Sequence, residues 1–156
     1  MKYLLLIVTI VTSISFANAQ SPDSRPFLIA AQVRNLDQSI AWYTSMLDFK
    51  LIDKKSFPDY GMKIGMLQRD GFQLELVENV KTRPKDEVLK KIEAEEITGF
   101  AKVAFHAGDI RGLYKKLQDK KADFKLTLRD SNLNGKEQFF VVTDPDGNWV
   151  QFVGQK

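Results

Sequence analysis

The first half of the chain changes from the apolar spacing of a strand to that of a helix and back again. Phe27 to Val33 is a short strand-like segment, and Asn35 after it can cap a helix with Gln38 three residues on. The apolar stripe of that helix comprises Leu36, Ile40, Tyr43 and Leu47. Extended segments follow at Lys50 to Lys55, Tyr60 to Gln68 and Phe72 to Glu78. This order predicts a βαβββ unit.

The second half repeats the same order of elements. A strand at Ala101 to Ala107 precedes the cap residue Asp109, and the helical stripe after it comprises Ile110, Leu113, Tyr114 and Leu117. The extended segments are Phe124 to Arg129, Gln138 to Thr143 and Trp149 to Val153. Asp48 to Leu51 recurs letter for letter as Asp123 to Leu126, an offset of 75 positions. Two βαβββ modules are therefore predicted, at about 27–80 and 100–154.

Turn signals introduce the last strand of each module. Arg69-Asp70-Gly71 favours a hairpin because glycine readily takes a positive φ angle. Asp144-Pro145-Asp146-Gly147 has proline at the second turn position and glycine at the fourth. Between the modules, the charged stretch Lys81 to Gly99 predicts a linker helix on the surface, with an apolar face formed by Val88, Leu89 and Ile92.

The first residues have the pattern of an export signal. Lys2 precedes the apolar run Leu4 to Phe16, and Ala17-Asn18-Ala19 is a small-residue cleavage site. The run is shorter than the roughly 20 apolar residues of a spanning helix. The absence of cysteine excludes a lipid-modified lipoprotein. We therefore predict a signal peptide at 1–19, a mature domain at 20–156 without a transmembrane segment, and a periplasmic or secreted location.

Charge and cysteine content exclude several classes of function. Removal of the leader lowers the formal net charge from +3 to +2, and the basic residues are interleaved with acidic ones, so no nucleic-acid partner is expected. A chain without cysteine has neither thiol catalysis nor a zinc-thiolate site. It also lacks a glycine-rich phosphate loop and a G-x-S-x-G elbow, which disfavours nucleotide-dependent and serine-hydrolase functions.

Short motifs mark the ends of the predicted strands and helices. They are Val33-Arg34-Asn35-Leu36 with Ser39, Trp42-Tyr43, Leu47-Asp48-Phe49, Val103-Ala104-Phe105, Asp109-Ile110 and Asp144-Pro145-Asp146-Gly147-Asn148. Together they resemble the vicinal-oxygen-chelate superfamily, the glyoxalase, bleomycin-resistance and dioxygenase proteins. The resemblance implies an α+β fold in which two paired βαβββ modules form an open, cup-shaped mixed sheet with the helices outside. It also implies a ligand on the concave side and a homodimer as one expected assembly.

Two positions depart from the family pattern at the helix ends. Asp48 stands where the family usually has a helix-ending glycine, and the second helix also ends without one, at Lys121-Ala122. Aspartate tolerates the left-handed backbone conformation better than most residues, so the fold is still expected.

The resemblance also implies where a metal site belongs. Family enzymes hold a divalent metal at four strand positions, which correspond here to Leu28, Glu75, Lys102 and Gln151. Only Glu75 is a competent ligand, because leucine offers no donor, lysine is a cation and glutamine offers a weak amide oxygen. We therefore expect no metal and no other cofactor, which argues against the usual metal-dependent reactions of the family.

Strand alternation places further side chains on the concave face with those four positions. The predicted ligand-binding set comprises Leu28, Gln32, Glu75, Lys102, His106, Trp149 and Gln151. The opposite face, packed beneath the helices, comprises Ile29, Ala31, Val33, Leu74, Leu76, Val103, Phe105, Val150 and Phe152. We expect Glu75 and Lys102 to face each other as an ion pair, which either binds a polar ligand group or serves structure alone. No catalytic residue is assigned, although Glu75, Lys102 and His106 are candidates.

Three functions fit these residues. The favoured one is a small-molecule binding protein without turnover. The second is a lyase or isomerase working without the usual metal, with Glu75 as base and Lys102 stabilising an oxyanion. The third is a subunit or interaction module whose cup binds nothing. The residues leave open whether the protein is an enzyme, and loss of the metal ligands favours binding alone.

Overall fold

The computed structural model describes residues 28–88, 100–131 and 136–156. The strands are β1 (Leu28–Gln32), β2 (Lys50–Phe57), β3 (Met62–Arg69), β4 (Phe72–Asn79), β5 (Lys102–His106), β6 (Asp123–Asp130), β7 (Glu137–Thr143) and β8 (Trp149–Gln155). The helices are α1 (Leu36–Leu47), α2 (Lys85–Val88) and α3 (Ile110–Asp119), with a 3-10 turn at Pro58–Tyr60. The predicted signal peptide at 1–19 and the linker-helix residues after Val88 lie outside the described residues.

Each module folds into one four-stranded mixed sheet. The strand orders are β1-β4-β3-β2 and β5-β8-β7-β6. In each sheet the first strand pairs in parallel with the last, and the other pairings are antiparallel. This confirms the predicted α+β fold of two βαβββ modules. None of the helices in the described ranges is long and apolar enough to cross a membrane.

Local side-chain chemistry sets the ends of the two main helices, as the sequence predicts. Asn35 Oδ1 accepts a hydrogen bond of 2.9 Å from the Gln38 amide, and Asp109 Oδ1 accepts one of 2.8 Å from the Gly112 amide. Asp48 ends α1 in the left-handed conformation, with a φ angle of 57°. Lys121, after α3, has a φ angle of 58°. Asp48 therefore takes the place of the usual glycine.

The turn before β3 differs from the prediction. Tyr60 and Gly61 were expected to begin the extended segment, but Tyr60 belongs to the 3-10 turn and β3 begins at Met62. Pro58 favours the start of such a turn because its φ angle is already close to the helical value. Gly61 then ends it in the left-handed conformation, with a φ angle of 58°.

The helices cover one face of both sheets and enclose one shared core. All nine residues predicted beneath the helices belong to this core or pack against it. Phe105 of β5 joins the modules, because its ring contacts those of Phe49 and Phe72 from the first module and of Phe152 from the second. The open faces of the sheets lie on the side away from this core.

A buried polar network also joins the modules. The carboxylate of Asp144, in the turn before β8, is 5% exposed and accepts a hydrogen bond of 2.8 Å from the Tyr43 hydroxyl of α1. Burial, followed by the charge of Asp144, raises the pKa of the Tyr43 hydroxyl, which stays protonated and donates. Next to it, Asp146 accepts hydrogen bonds from the Arg34 amide and the Ser39 hydroxyl. The turn therefore holds the start of α1.

Candidate functional site

The four positions that the resemblance assigns to metal ligands all lie on the open faces of the sheets. Leu28 lies on β1 and Glu75 on β4, next to Ala30 on one side and Met66 on the other. Lys102 lies on β5 beside Trp149 of β8, and Gln151 lies between Ala104 and Val141. The structure thus places these residues on the predicted face, two in each sheet.

These residues do not fit a divalent metal. Among the described residues, no three His, Cys, Asp or Glu side chains come together as a cluster that could hold a metal ion. Each sheet contributes one residue without a useful donor, Leu28 in the first and the cation Lys102 in the second. A carboxylate and an amide alone do not form the ligand set of a tightly held ion.

Glu75 and Lys102 do not form the expected ion pair. Within the described part of the chain, their charged groups do not come within 4.0 Å of each other or of any other opposite charge. Lys102 is exposed at the start of β5, whereas Glu75 is half-buried in the middle of β4. The expectation was wrong because strand alternation places both residues on open faces but does not set the distance between residues of two separate sheets. Both charges are therefore available to a ligand.

The open face of the second sheet combines an aromatic ring with positive charge. Lys125 Nζ lies over the Trp149 ring, 5.0 Å from its centroid, and Lys102 is the neighbour of Trp149 on β5. Gln151 Oε1 is buried and accepts no hydrogen bond from any of the described residues. His106 is exposed at the end of β5, opposite Val153.

The first sheet has a cavity that the sequence analysis missed. Its volume is about 170 Å³, and its lining residues are Asp53, Lys55, Phe57, Ile64 and Met66. Ile64 and Met66 alternate with the buried residues Gly65 and Leu67 along β3. The alternation that holds in β1 and β4 also holds in β3. It places Ile64 and Met66 on the open face. Met66 lies directly beside Glu75, so the cavity begins next to a predicted site residue.

A bulge in β2 decides which side chains reach this cavity. Leu51 pairs with Leu67 but Asp53 pairs with Met66, so Ile52 is an extra residue in the strand. Strict alternation from Lys50 places Ile52 and Lys54 on the open face, whereas the bulge brings Asp53 and Lys55 there instead. The two charged groups form an ion pair of 2.8 Å at the rim. The hydrogen bond from Lys55 lowers the pKa of the Asp53 carboxyl, and the same bond raises the pKa of Lys55.

Two βαβββ modules with open sheet faces and helices behind them define a glyoxalase-like domain. The chain belongs to the Glyoxalase/Bleomycin resistance protein/Dioxygenase superfamily, which it matches over residues 26–152.

One relative matches the chain in sequence, and two solved structures share its fold. Lactoylglutathione lyase of Schizosaccharomyces pombe is 27% identical over 139 residues, which cover 80% of this chain and 45% of that relative. The glyoxalase family protein from Enterococcus faecalis superimposes with a TM-score of 0.71 at 17% identity, covering 84% of this chain and 97% of that one. Glyoxalase I from Zea mays has a TM-score of 0.66 at 21% identity, covering 85% of this chain and 44% of that one. The chain therefore spans less than half the length of the two enzymes.

Proposed function

We propose that this protein is exported and binds a small molecule on the open face of its sheets, without the metal that its enzymatic relatives use. The observation that supports this most directly is the cavity beside Glu75. Binding sites for small molecules are typically concave and mostly apolar, with a few polar groups that orient the ligand. Export is proposed from the leader at 1–19 and implies a periplasmic or secreted location.

The lining of the cavity indicates the character of its ligand. Phe57, Ile64 and Met66 form an apolar, half-buried wall, and methionine adapts its shape to the ligand because its side chain is flexible and polarisable. Polar groups lie at the margins, where Asp53 pairs with Lys55 and Glu75 neighbours Met66. The cavity therefore suits a small, largely apolar molecule with one polar group.

A charge placed inside the cavity is expected to weaken this binding. Met66→Lys is expected to weaken the binding of neutral aromatic probes by about tenfold or more, because an ammonium loses hydration when an apolar ligand covers it. Val80→Lys adds the same charge at a position that is 81% exposed and outside the cavity lining, and serves as the matched control. Saturation-transfer NMR with p-cresol and indole measures the affinities. Equal binding by both variants contradicts the proposed site.

Divalent metals are expected to leave the stability of the protein unchanged. A bound ion that prefers the folded state must raise the melting temperature by mass action. Thermal melts of the mature chain with zinc, nickel and manganese are expected to shift by less than about 1 °C. The proposal that the protein works without a metal is contradicted if protein purified without chelators contains stoichiometric metal. A clear rise in the melting temperature also contradicts it and supports a metal-dependent function.

A second candidate function is a lyase or isomerase that works without the usual metal. The similarity to lactoylglutathione lyase over 80% of this chain favours it. Glu75 is half-buried and forms no ion pair within the described ranges, so no salt bridge competes with a substrate for its carboxylate. Lys102 supplies a cation for a developing oxyanion.

Replacement of Glu75 separates this candidate from simple binding. If the protein acts on lactoylglutathione, Glu75→Gln is expected to lower turnover by at least about a hundredfold, since a general base contributes roughly that much. NMR detection of substrate loss measures the rate, and an unchanged melting temperature shows that the fold is intact. Turnover retained by Glu75→Gln contradicts the role of Glu75, and no turnover by the unmodified protein contradicts the enzymatic candidate.

A further inference from the structure

The beginning of α1 is held to the first sheet by a carboxylate that the candidate site does not use. We propose that Glu78 is an acid-sensitive clasp, which fixes the start of α1 while it is charged and releases this end of the first module when it is protonated. Glu78 alternates with the buried residues Leu74 and Leu76, so it lies on the helix-covered side of the sheet. The inference therefore goes beyond the proposed function and depends on neither the cavity nor export.

Glu78, near the end of β4, connects three elements. Its Oε2 atom accepts a hydrogen bond of 2.7 Å from the Leu36 amide at the start of α1, and its Oε1 atom accepts one of 2.7 Å from Lys63 Nζ of β3. The Glu78 side chain is 24% exposed, so water screens these bonds only in part. A negative charge is also favourable at the N-terminus of a helix, where backbone amides point outwards. The charged carboxylate thus joins α1, β3 and β4.

The charged groups around Glu78 set the direction of its pKa shift. Besides Lys63, they are Asp37 of α1 and Lys54 of β2, which form an ion pair with each other. The bonds from the Leu36 amide and from Lys63 lower the pKa of the Glu78 carboxyl, and the charge of Asp37 opposes this shift. Because the pKa is lowered in the folded state, the clasp contributes its full stability above the usual value of 4.5 and loses it as the pH falls through the lowered value.

Protonation removes the charge on which both hydrogen bonds depend. The oxygen that takes the proton becomes a donor and faces another donor, and the bond to the other oxygen is no longer charge-assisted. The Leu36 side chain, which is 1% exposed and packs over Gly65 of β3, loses the bond that holds its amide. Acid is therefore expected to loosen the first turn of α1 over β3.

The second module has a glycine at the matching position. The carbonyl group of the residue before Glu78 accepts a hydrogen bond of 2.9 Å from the Val33 amide, just after β1. The carbonyl group of the residue before Gly154 accepts the equivalent bond, of 2.8 Å, from the Ala107 amide, just after β5. A side chain at Gly154 would collide with the Ala107 carbonyl and with Ile110, so the start of α3 packs directly on β8. The clasp is thus a feature of the first module.

A second carboxylate contacts the same turn of α1. Asp146, before β8, accepts hydrogen bonds of 3.0 Å from the Arg34 amide and 3.2 Å from the Ser39 hydroxyl. It also forms an ion pair of 3.6 Å with the Arg34 guanidinium. A test of the clasp therefore has to separate Glu78 from Asp146.

Hydrogen exchange of the Ser39 amide tests the clasp, because this amide donates the first hydrogen bond within α1, of 3.1 Å to the Asn35 carbonyl. In the unmodified protein its protection factor, corrected for the exchange rate of an unfolded amide, is expected to fall at least about tenfold from about pH 6.5 to about pH 3.5. Glu78→Gln is expected to lower the protection at about pH 6.5 and to reduce this fall to less than about threefold. Asp109→Asn makes a carboxyl-to-amide change at the cap of α3 and is expected to preserve the fall at Ser39.

Replacement of the lysine partner gives a second measurement. Lys63→Met removes the ammonium that stabilises the charged form of Glu78, so the pH midpoint of the fall at Ser39 is expected to rise by at least about half a unit. Lys115→Met, an equal loss of charge at an exposed position of α3, is expected to leave the midpoint unchanged.

Three outcomes overturn the proposal. The first is no fall in the protection of Ser39 in the unmodified protein. The second is a fall that is as large in Glu78→Gln as in the unmodified protein, which assigns the acid sensitivity to another group such as Asp146. The third is an equal effect of Glu78→Gln on Ser39 and on the Leu113 amide, which donates the matching bond of 3.0 Å in α3, because the replacement then destabilises the whole fold.

Discussion

Asp144→Asn is expected to destabilise the protein by about 3 kcal/mol, although the two side chains have the same shape. The Asp144 carboxylate accepts four hydrogen bonds, from the Tyr43 hydroxyl, the Asp146 amide, and the backbone and side-chain amides of Asn148. All four partners are donors. An asparagine amide has one acceptor oxygen and no charge, so the charge-assisted hydrogen bonds weaken, and its NH₂ group fits the Tyr43 hydroxyl and the Asn148 side-chain amide only if both turn to accept.

Urea denaturation of the mature chain measures this loss as a change in the free energy of unfolding. Tyr43→Phe removes one of the four donors and is expected to cost about 1 kcal/mol. Asp119→Asn makes the same chemical change at an exposed position of α3 and is expected to have almost no effect. If Asp144→Asn costs no more than Asp119→Asn, the network does not hold the two modules together.

Phe105→Ala is expected to cost about 3–4 kcal/mol of unfolding free energy. The Phe105 ring lies 6.1 Å from the ring of Phe49, 5.3 Å from that of Phe72 and 5.9 Å from that of Phe152, measured between centroids. Truncation therefore removes contacts on both sides of the boundary between the modules and leaves a cavity in the shared core. The same urea titration measures the loss.

Phe139→Ala is the matched control for this prediction. Phe139 lies in the same sheet but pairs with Val153 on the open face, outside the shared core. We expect its truncation to cost less than half as much, because its ring lies on the other face of the sheet and its loss leaves no cavity in the shared core. Equal losses for the two variants contradict the view that Phe105 joins the modules.

The elements of this fold could be predicted because each depends on residues close together in the sequence. Asn35 and Asp109 cap helices through amides three residues away. Asp70 and Gly71 both adopt positive φ angles in the hairpin that the Arg69-Asp70-Gly71 signal indicates. The alternation of apolar residues assigned the covered faces of β1, β4, β5 and β8 correctly, because side chains in a strand point alternately to its two faces.

The sequence predicted which residues lie on the open faces, but not the distances between them or the cavity of the first sheet. Alternation placed Glu75, Lys102, Trp149 and Gln151 on the open faces, but it cannot measure the distance between residues of different sheets. The expected ion pair of Glu75 and Lys102 was wrong for that reason. The cavity was missed because the bulge at Ile52 reverses the alternation of β2 and brings Asp53 and Lys55 to the open face.

By itself, the sequence determined the two βαβββ modules, the helix caps and the turns. Only the tertiary structure decided that Asp144 binds Tyr43 across 101 positions and that the Gln151 oxygen has no partner within the described part of the chain. The physical reason is the separation along the sequence of the residues that interact. Caps, turns and alternation arise from neighbours in sequence, whereas contacts between modules arise from the way that two finished sheets and their helices pack into one core.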